Sequence, residues 1–234
     1  HIVMKHGSCV MEHEEEVLRN PYYSSQQEIE AQTFAAHFLM PEELINFTLI
    51  SMGLPRKPEN ITPDETYQLS LEFGVSYTAV INHLVALKKI RYEVGEKLRQ
   101  IQPKTIKDHF TNGSSRQDNR ADVWALYERD KGRSIEIYVD DEVHIYLNEP
   151  SSSEHEWSLA PSESNASVKL INSYLEISTR KEDHLTYQRH FVFLAQLSGT
   201  NTVRLYTRHG KHDAERAEET FEVQIRVLPK PTQG

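Results

Sequence analysis

The chain has 234 residues, of which 38% are hydrophobic and 26% charged, and its formal net charge is −9 at pH 7. That length fits one large domain or two small ones, and the acidic balance withholds the general attraction to phosphate on which most nucleic-acid binding depends. The single cysteine, Cys9, excludes an internal disulfide and points to a reducing compartment, with the cytoplasm as the default expectation; no apolar run approaches the roughly 18 residues that span a bilayer.

The first half reads as helical. Residues 27–39 contain no Gly or Pro, and Ala31, Phe34, Ala35, Phe38 and Leu39 recur at helical spacing until Pro41 ends the run. Ser24 or Ser25 is placed to cap it. A second helix is expected over 41–50, ending near Gly53 and Pro55, and the prolines between 56 and 63 predict a loop. Thr62 or Asp64 can cap a third helix reaching Phe73. Gly74-Val75-Ser76 breaks it, and Val80, Ile81, Leu84, Val85 and Leu87 mark a fourth. The two helices around Gly74 have helix-turn-helix character, with Ser70 small and Val80 turned inward. One reading is DNA binding; the other is a packed helical subdomain beside a protein substrate. The absence of Arg or Lys on the second helix before Lys88 favours the packed subdomain.

Beyond residue 103 the composition shifts, and the polar run 112–119 reads as linker. After Val123 the apolar period becomes two. Ile135, Ile137 and Val139 alternate with polar residues, as do Val143, Ile145 and Leu147; Phe191 and Phe193; Val203 and Leu205; and Phe221, Val223, Ile225 and Val227. Short alternating strands separated by turn residues predict a β-sandwich. The expected fold class is α+β, with a helical part over 1–102, a linker over 103–122, an immunoglobulin-like sandwich over 123–229 and a tail over 230–234.

The segment His1-Ile-Val-Met-Lys-His6-Gly7, followed by Glu28-Ile-Glu30-Ala-Gln32-Thr-Phe34-Ala-Ala-His37-Phe38-Leu-Met-Pro41, resembles the ImmA/IrrE family of zinc metallopeptidases. In that family an HExxH helix precedes a helix of the pattern ExEA(N/D)xFAxxLLMP. Two histidines one turn apart hold zinc, a later carboxylate completes the protein ligands, and the Glu of HExxH takes the proton from the zinc-bound water. The resemblance implies that His1 is the second histidine of HExxH and that Glu28 is the metal ligand, with Glu30 as the other candidate. It further implies that Gln32 stands where the family has an Asn or Asp supporting a ligand histidine. The first histidine and the general base would lie upstream of residue 1, so this stretch is expected to be inactive by itself. The implied parent activity is zinc-dependent hydrolysis of a peptide bond in a protein substrate such as a transcriptional repressor. His6, His13 and His37 are read as surface or packing residues, Cys9 as a packing residue, and Glu12 to Glu16 as a solvated helix face.

From Leu126 onward, the strands 132–147, Asn148, Trp157, the run 188–195, Gly199, 203–206 and the closing strand 221–227 resemble the chagasin-type inhibitors of cysteine peptidases. The inhibitory loops of that family have the patterns NPTTG, glycine-rich and RPWE. Here the corresponding stretches are 148–157, 179–187 and 207–213, and all three depart from those patterns. Charged side chains stand where glycines would allow close backbone approach. The resemblance therefore implies a scaffold whose loops bind a protein, with inhibition of a papain-like peptidase as one form of it. Trp157 and Tyr206 are expected to pack between the sheets.

Overall fold

The computed structural model describes residues 26–111, 120–149, 155–160, 167–179, 185–209 and 219–230. His1, His6, Cys9 and the run Glu12 to Glu16 lie outside them, as does the 112–119 segment expected as linker. The architecture is α+β, and the chain divides after Ile101 into two compact units.

The first unit contains α1 (Gln26–Leu39), α2 (Glu42–Ser51), α3 (Pro63–Phe73), α4 (Tyr77–Ala86) and α5 (Tyr92–Arg99). Of the two cap candidates before α3, Thr62 takes the role. Its hydroxyl accepts from the Glu65 amide and the Glu65 carboxylate accepts from its own amide, so two otherwise orphaned donors are satisfied reciprocally. Gly74 closes the helix in the left-handed region at φ 59°, where a side chain would be strained, and Ser76 caps α4 by accepting from the Ala79 amide. Val80, Ile81 and Leu84 face the core with Leu69.

Gly95 lets α5 approach α4 closely; a Cβ there would lie 2.7 Å from Val85 Cγ2. Buried Lys89 donates to the Glu42 carboxylate at 2.6 Å and to Asn46 Oδ1 at 2.7 Å, tying α2 to the end of α4. The apolar face expected on α1 differs in outcome. Phe34, Phe38 and Leu39 are exposed and Met40 is the buried residue, because α1 meets its described neighbours mainly along α4.

The second unit opens with a helix inside the stretch expected as linker, α6 (Pro103–Phe110), with Ile106 and Phe110 buried one turn apart. Lys107 Nζ donates to the Ala121 carbonyl at 2.7 Å and pairs with the Asp122 carboxylate at 2.8 Å. The strands are β1 (Val123–Tyr127), β2 (Ser134–Tyr138), β3 (Glu142–Glu149), β4 (His155–Leu159), β5 (Val168–Thr179), β6 (Leu185–Ala195), β7 (Gly199–His209) and β8 (Thr220–Leu228). They form two four-stranded sheets, in the orders β1-β3-β6-β5 and β2-β8-β7-β4. The pairs β1–β3 and β2–β8 are parallel and the rest antiparallel.

Val143, Ile145, Leu147, Phe191, Phe193, Val203, Leu205, Phe221, Val223, Ile225 and Val227 are all buried, so the alternation read from the sequence is the inward face of the sandwich. β2 ends one residue before Val139, and the chain then turns through Asp140 at φ 74°. The turn is held by buried Asp141, whose two carboxylate oxygens accept the amides of Asp122 and Tyr138, each at 2.8 Å. Burial pushes this carboxyl up to about 6 despite those two bonds.

On the other face of the first sheet, one rung carries Tyr127, Tyr146, His190 and Tyr174 across all four strands. Tyr146 stacks on His190 at 4.1 Å, and Tyr174 meets the same ring edge-on at 4.6 Å. His144 Nε2 donates to Glu142, and its Nδ1 lies 3.0 Å from His190 Nε2. With the Glu142 carboxylate as acceptor, a neutral His144 presents a lone pair at Nδ1. His190 then donates from Nε2, and its own Nδ1 is a buried lone pair with no hydrogen-bond partner. Burial, reinforced by His144, lowers the His190 pKa to about 3.

Two predictions follow for the sandwich, and both are read by Trp124 and Trp157, the two tryptophans of the chain, which both lie in it. Asp141→Asn places an amide NH2 against one backbone donor and should lower unfolding stability by about 2 kcal/mol in denaturant titration. For His190 the unfolded chain takes up a proton below about pH 6.5 while the folded one does not. Stability is therefore complete above pH 6.5 and falls with pH by about 1.4 kcal/mol per unit towards pH 3. Asp141 titrates in part of the same window with the opposite sign, since its raised pKa favours the folded state as pH falls. It is common to the wild type and to His190→Gln, so the difference between their pH–stability curves isolates His190. The variant should lack that acid-side loss.

Candidate functional site

The zinc ligands that the sequence resemblance implies are not within reach of description: His1 lies outside the described residues, and Glu28 sits on α1 with its side chain outside them. Glu30, the other candidate ligand, is half-buried on the same helix. Gln32 is exposed and lines a groove of about 510 Å³ between α1 and α4. His37 and His83 line it too, their rings edge-on at 4.8 Å. Each has one nitrogen committed to a carbonyl: His37 Nδ1 donates to Thr33 at 2.9 Å, and His83 Nε2 donates to Met40 at 2.9 Å. Burial holds the His83 pKa below the usual histidine value. Among the described residues, no group of three His, Cys, Asp or Glu side chains could hold a metal ion.

The same groove bears on the helix-turn-helix segment. Ser76, the cap of α4, and Thr78, Ala79, Asn82 and His83 of that helix line it, and the Asn82 side-chain oxygen Oδ1 accepts from the Arg99 guanidinium at 2.8 Å. Of these, Ser76, Thr78 and Asn82 remain exposed and His83 is buried.

The second candidate is one end of the sandwich, and strand register is what assembles it. β3 leaves the first sheet at Glu149 and the chain enters the second sheet at His155, so the 150–154 connection crosses between sheets. Glu149 pairs with Tyr187, close to the β5–β6 turn at 180–184. His155 pairs with His209 and Tyr206 with Thr220, which puts the β7–β8 connection at 210–218 at the same end. Because β1 runs parallel to β3, its 3₁₀ turn Glu128–Asp130 arrives there as well. The residues 150–154, 180–184 and 210–218 themselves lie outside the described residues. The first two lie within the stretches 148–157 and 179–187 that the sequence aligns with inhibitory loops, and the third overlaps the stretch 207–213 at 210–213.

The described stems are tightly bonded. Buried Trp157 donates from Nε1 to the Asn148 carbonyl at 2.9 Å, while the Asn148 backbone and side-chain amides both donate to Glu128. Arg189 Nε and Nη2 donate to the two oxygens of Glu149 at 2.8 and 3.0 Å, and Nη2 also pairs with Glu156 at 3.1 Å. The Glu149 carboxylate beside it raises the guanidinium pKa above its ordinary value. A cavity of about 260 Å³ opens beside these stems, floored by Leu147, Trp157 and Phe221 and rimmed by Glu128, Lys131 and Glu219.

Trp157 packs in the core as expected. Tyr206 does not: it alternates with buried Leu205 and Thr207, so it points to the other face of its sheet and is half-buried. The Arg189 clamp was missed in the sequence. The available signal was parity, since Arg189 shares the inward register of Phe191 and Phe193, and an inward charge needs a carboxylate partner.

No protein-family model and no curated protein matches the chain. Solved structures resemble its second half. A cysteine protease inhibitor from Entamoeba histolytica aligns at TM-score 0.42 and 13% identity, covering 47% of this chain and 98% of its own. Amebosin aligns at TM-score 0.35 and 16% identity over 46% and 98%. PbICP-C, solved in complex with falcipain-2, aligns at TM-score 0.29 and 11% identity over 47% and 93%. At these values the likeness carries nothing about what the sandwich binds.

Trp157→Phe keeps the ring in the core but leaves the Asn148 carbonyl without its donor. It should reduce unfolding stability by about 1 kcal/mol, measured by near-ultraviolet circular dichroism in denaturant.

Proposed function

We propose that the sandwich is a protein-recognition module whose partner is a papain-like cysteine peptidase, engaged at the end built around Trp157 and Arg189. The observation that carries this reading is convergence: the connections 150–154, 180–184 and 210–218 all leave strands at one end of a rigid two-sheet scaffold. Connections carried by a common scaffold are a recurrent place for binding residues. The class of partner comes from the sequence resemblance of residues 126–227 to chagasin-type inhibitors.

The mode of contact would differ from that of a glycine-rich loop. The stretches 149–156 and 179–184 are charged and lack glycine, so side chains rather than close backbone approach would meet the partner. For the helical unit, zinc-dependent hydrolysis of a protein such as a transcriptional repressor has only its sequence resemblance as support.

The test is inhibition of papain by the full chain, followed by progress curves. Competitive inhibition is expected, with at least a tenfold loss when residues 151–153 are deleted, as for removal of a central contact. No inhibition at about 100 µM, far weaker than specific complexes of this size class, would overturn the reading.

A further inference from the structure

Arg189 occupies an unusual position. It lies on β6 in register with Leu147 of β3 and Leu175 of β5, at the level where the inter-sheet core gives way to the loop end. Leu147 is fully buried, whereas Leu175 is 39% exposed. The Arg189 side chain is 15% exposed and that of Glu149 9%, so neither of these charges is well solvated, whereas the Glu156 side chain is 65% exposed. Two parallel N–H···O bonds fix the guanidinium plane on the last residue of β3. The remaining contact, to Glu156 at 3.1 Å, reaches the second residue of β4 in the opposite sheet. One planar group therefore binds both stems of the connection that passes from one sheet to the other.

Such a group has a geometric effect that a hydrophobic residue at this place would lack. A fork held bidentately by one carboxylate has no rotational freedom left. The second carboxylate must then come to it, and the distance between the two stems is set. Trp157 and Glu128 hold the adjacent Asn148 from either side, so the β3 stem is itself rigid. We propose that Arg189 is a positioning residue of the binding end: together with the Trp157–Asn148 hydrogen bond, which also joins β4 to β3, it fixes the separation of the β3 and β4 stems. The proposal deepens the recognition reading, and its partner-binding consequence rests on that reading.

Amide hydrogen exchange of the full chain tests the positioning claim with no partner present. In Arg189→Met, exchange at Glu149 and at residues 155–157 should rise about tenfold while β7 and β8 keep wild-type protection. Arg189→Lys should not restore it, because an ammonium cannot hold one carboxylate bidentately while reaching a second. Glu156→Gln changes only the cross-sheet contact and leaves the core intact, so it serves if the Arg189 variants do not fold; it should raise exchange at the β4 stem several-fold.

Unchanged exchange at Glu149 and 155–157 in both Arg189→Met and Glu156→Gln would overturn the proposal. Equal loosening of β8 in Arg189→Met would also overturn it, since that would mark a general stabilising role. Papain inhibition separates the two claims. If the wild type fails to inhibit, the recognition reading falls and the exchange result still judges Arg189. If the wild type inhibits and a folded Arg189→Met inhibits equally well, the positioning role is refuted.

Discussion

The sandwich depends on one constraint: the inward positions of its two sheets must be apolar as far as the sheets overlap, and they are. Val143 and Ile145 of β3, Phe191 and Phe193 of β6, Val203 and Leu205 of β7 and the four inward residues of β8 lie buried against one another. Burying this apolar surface is the dominant favourable term, and it dictates which residues can stand on each face. Where the overlap ends, the inward position on β6 passes from Phe191 to Arg189, and a charge becomes tolerable only because Glu149 and Glu156 meet it there. At the core's limit the ion-paired Arg189 thus stands beside buried Leu147 and Trp157 of the two sheets.

The turns are governed by the same need to satisfy what is buried. Asp141 accepts two backbone amides from different segments. Asp130, also buried, accepts the Tyr127 amide and pairs with Arg133. Each aspartate replaces water for donors that no strand ladder reaches. On the other face of the first sheet, the His144–His190 pair solves the problem incompletely. Glu142 fixes the tautomer of His144, which leaves the far nitrogen of His190 without a partner.

In the helical unit, Thr62 caps and Gly74 breaks where the sequence placed them, and Ser76, read there only as part of the break, also caps α4. Cap and turn chemistry is local and needs no tertiary partner. Strands were legible where one face was buried and the other wet, as in β3 and β8. They were not legible in β1, whose Val123, Trp124, Ala125 and Leu126 are buried whichever face they lie on, so no alternation is visible. Nor were they in β5, an edge strand that exposes Ile171, Leu175 and Ile177 and whose period is broken by the bulge between Leu170 and Asn172. Helix α6 escaped because eight residues with two buried apolar positions, Ile106 and Phe110, give too short a period to recognise.

By itself the sequence determined the α+β class, the helix caps, the inward faces of most strands and the core place of Trp157, since each follows from local backbone chemistry or from a period of two. The tertiary structure alone decided which connections meet at one end of the sandwich, that Tyr206 faces away from the core, and that Arg189 grips both Glu149 and Glu156. Those outcomes depend on strand order and register. Register brings together residues far apart in the chain through backbone hydrogen bonds that any side chain can make, so the pattern of side chains does not disclose it.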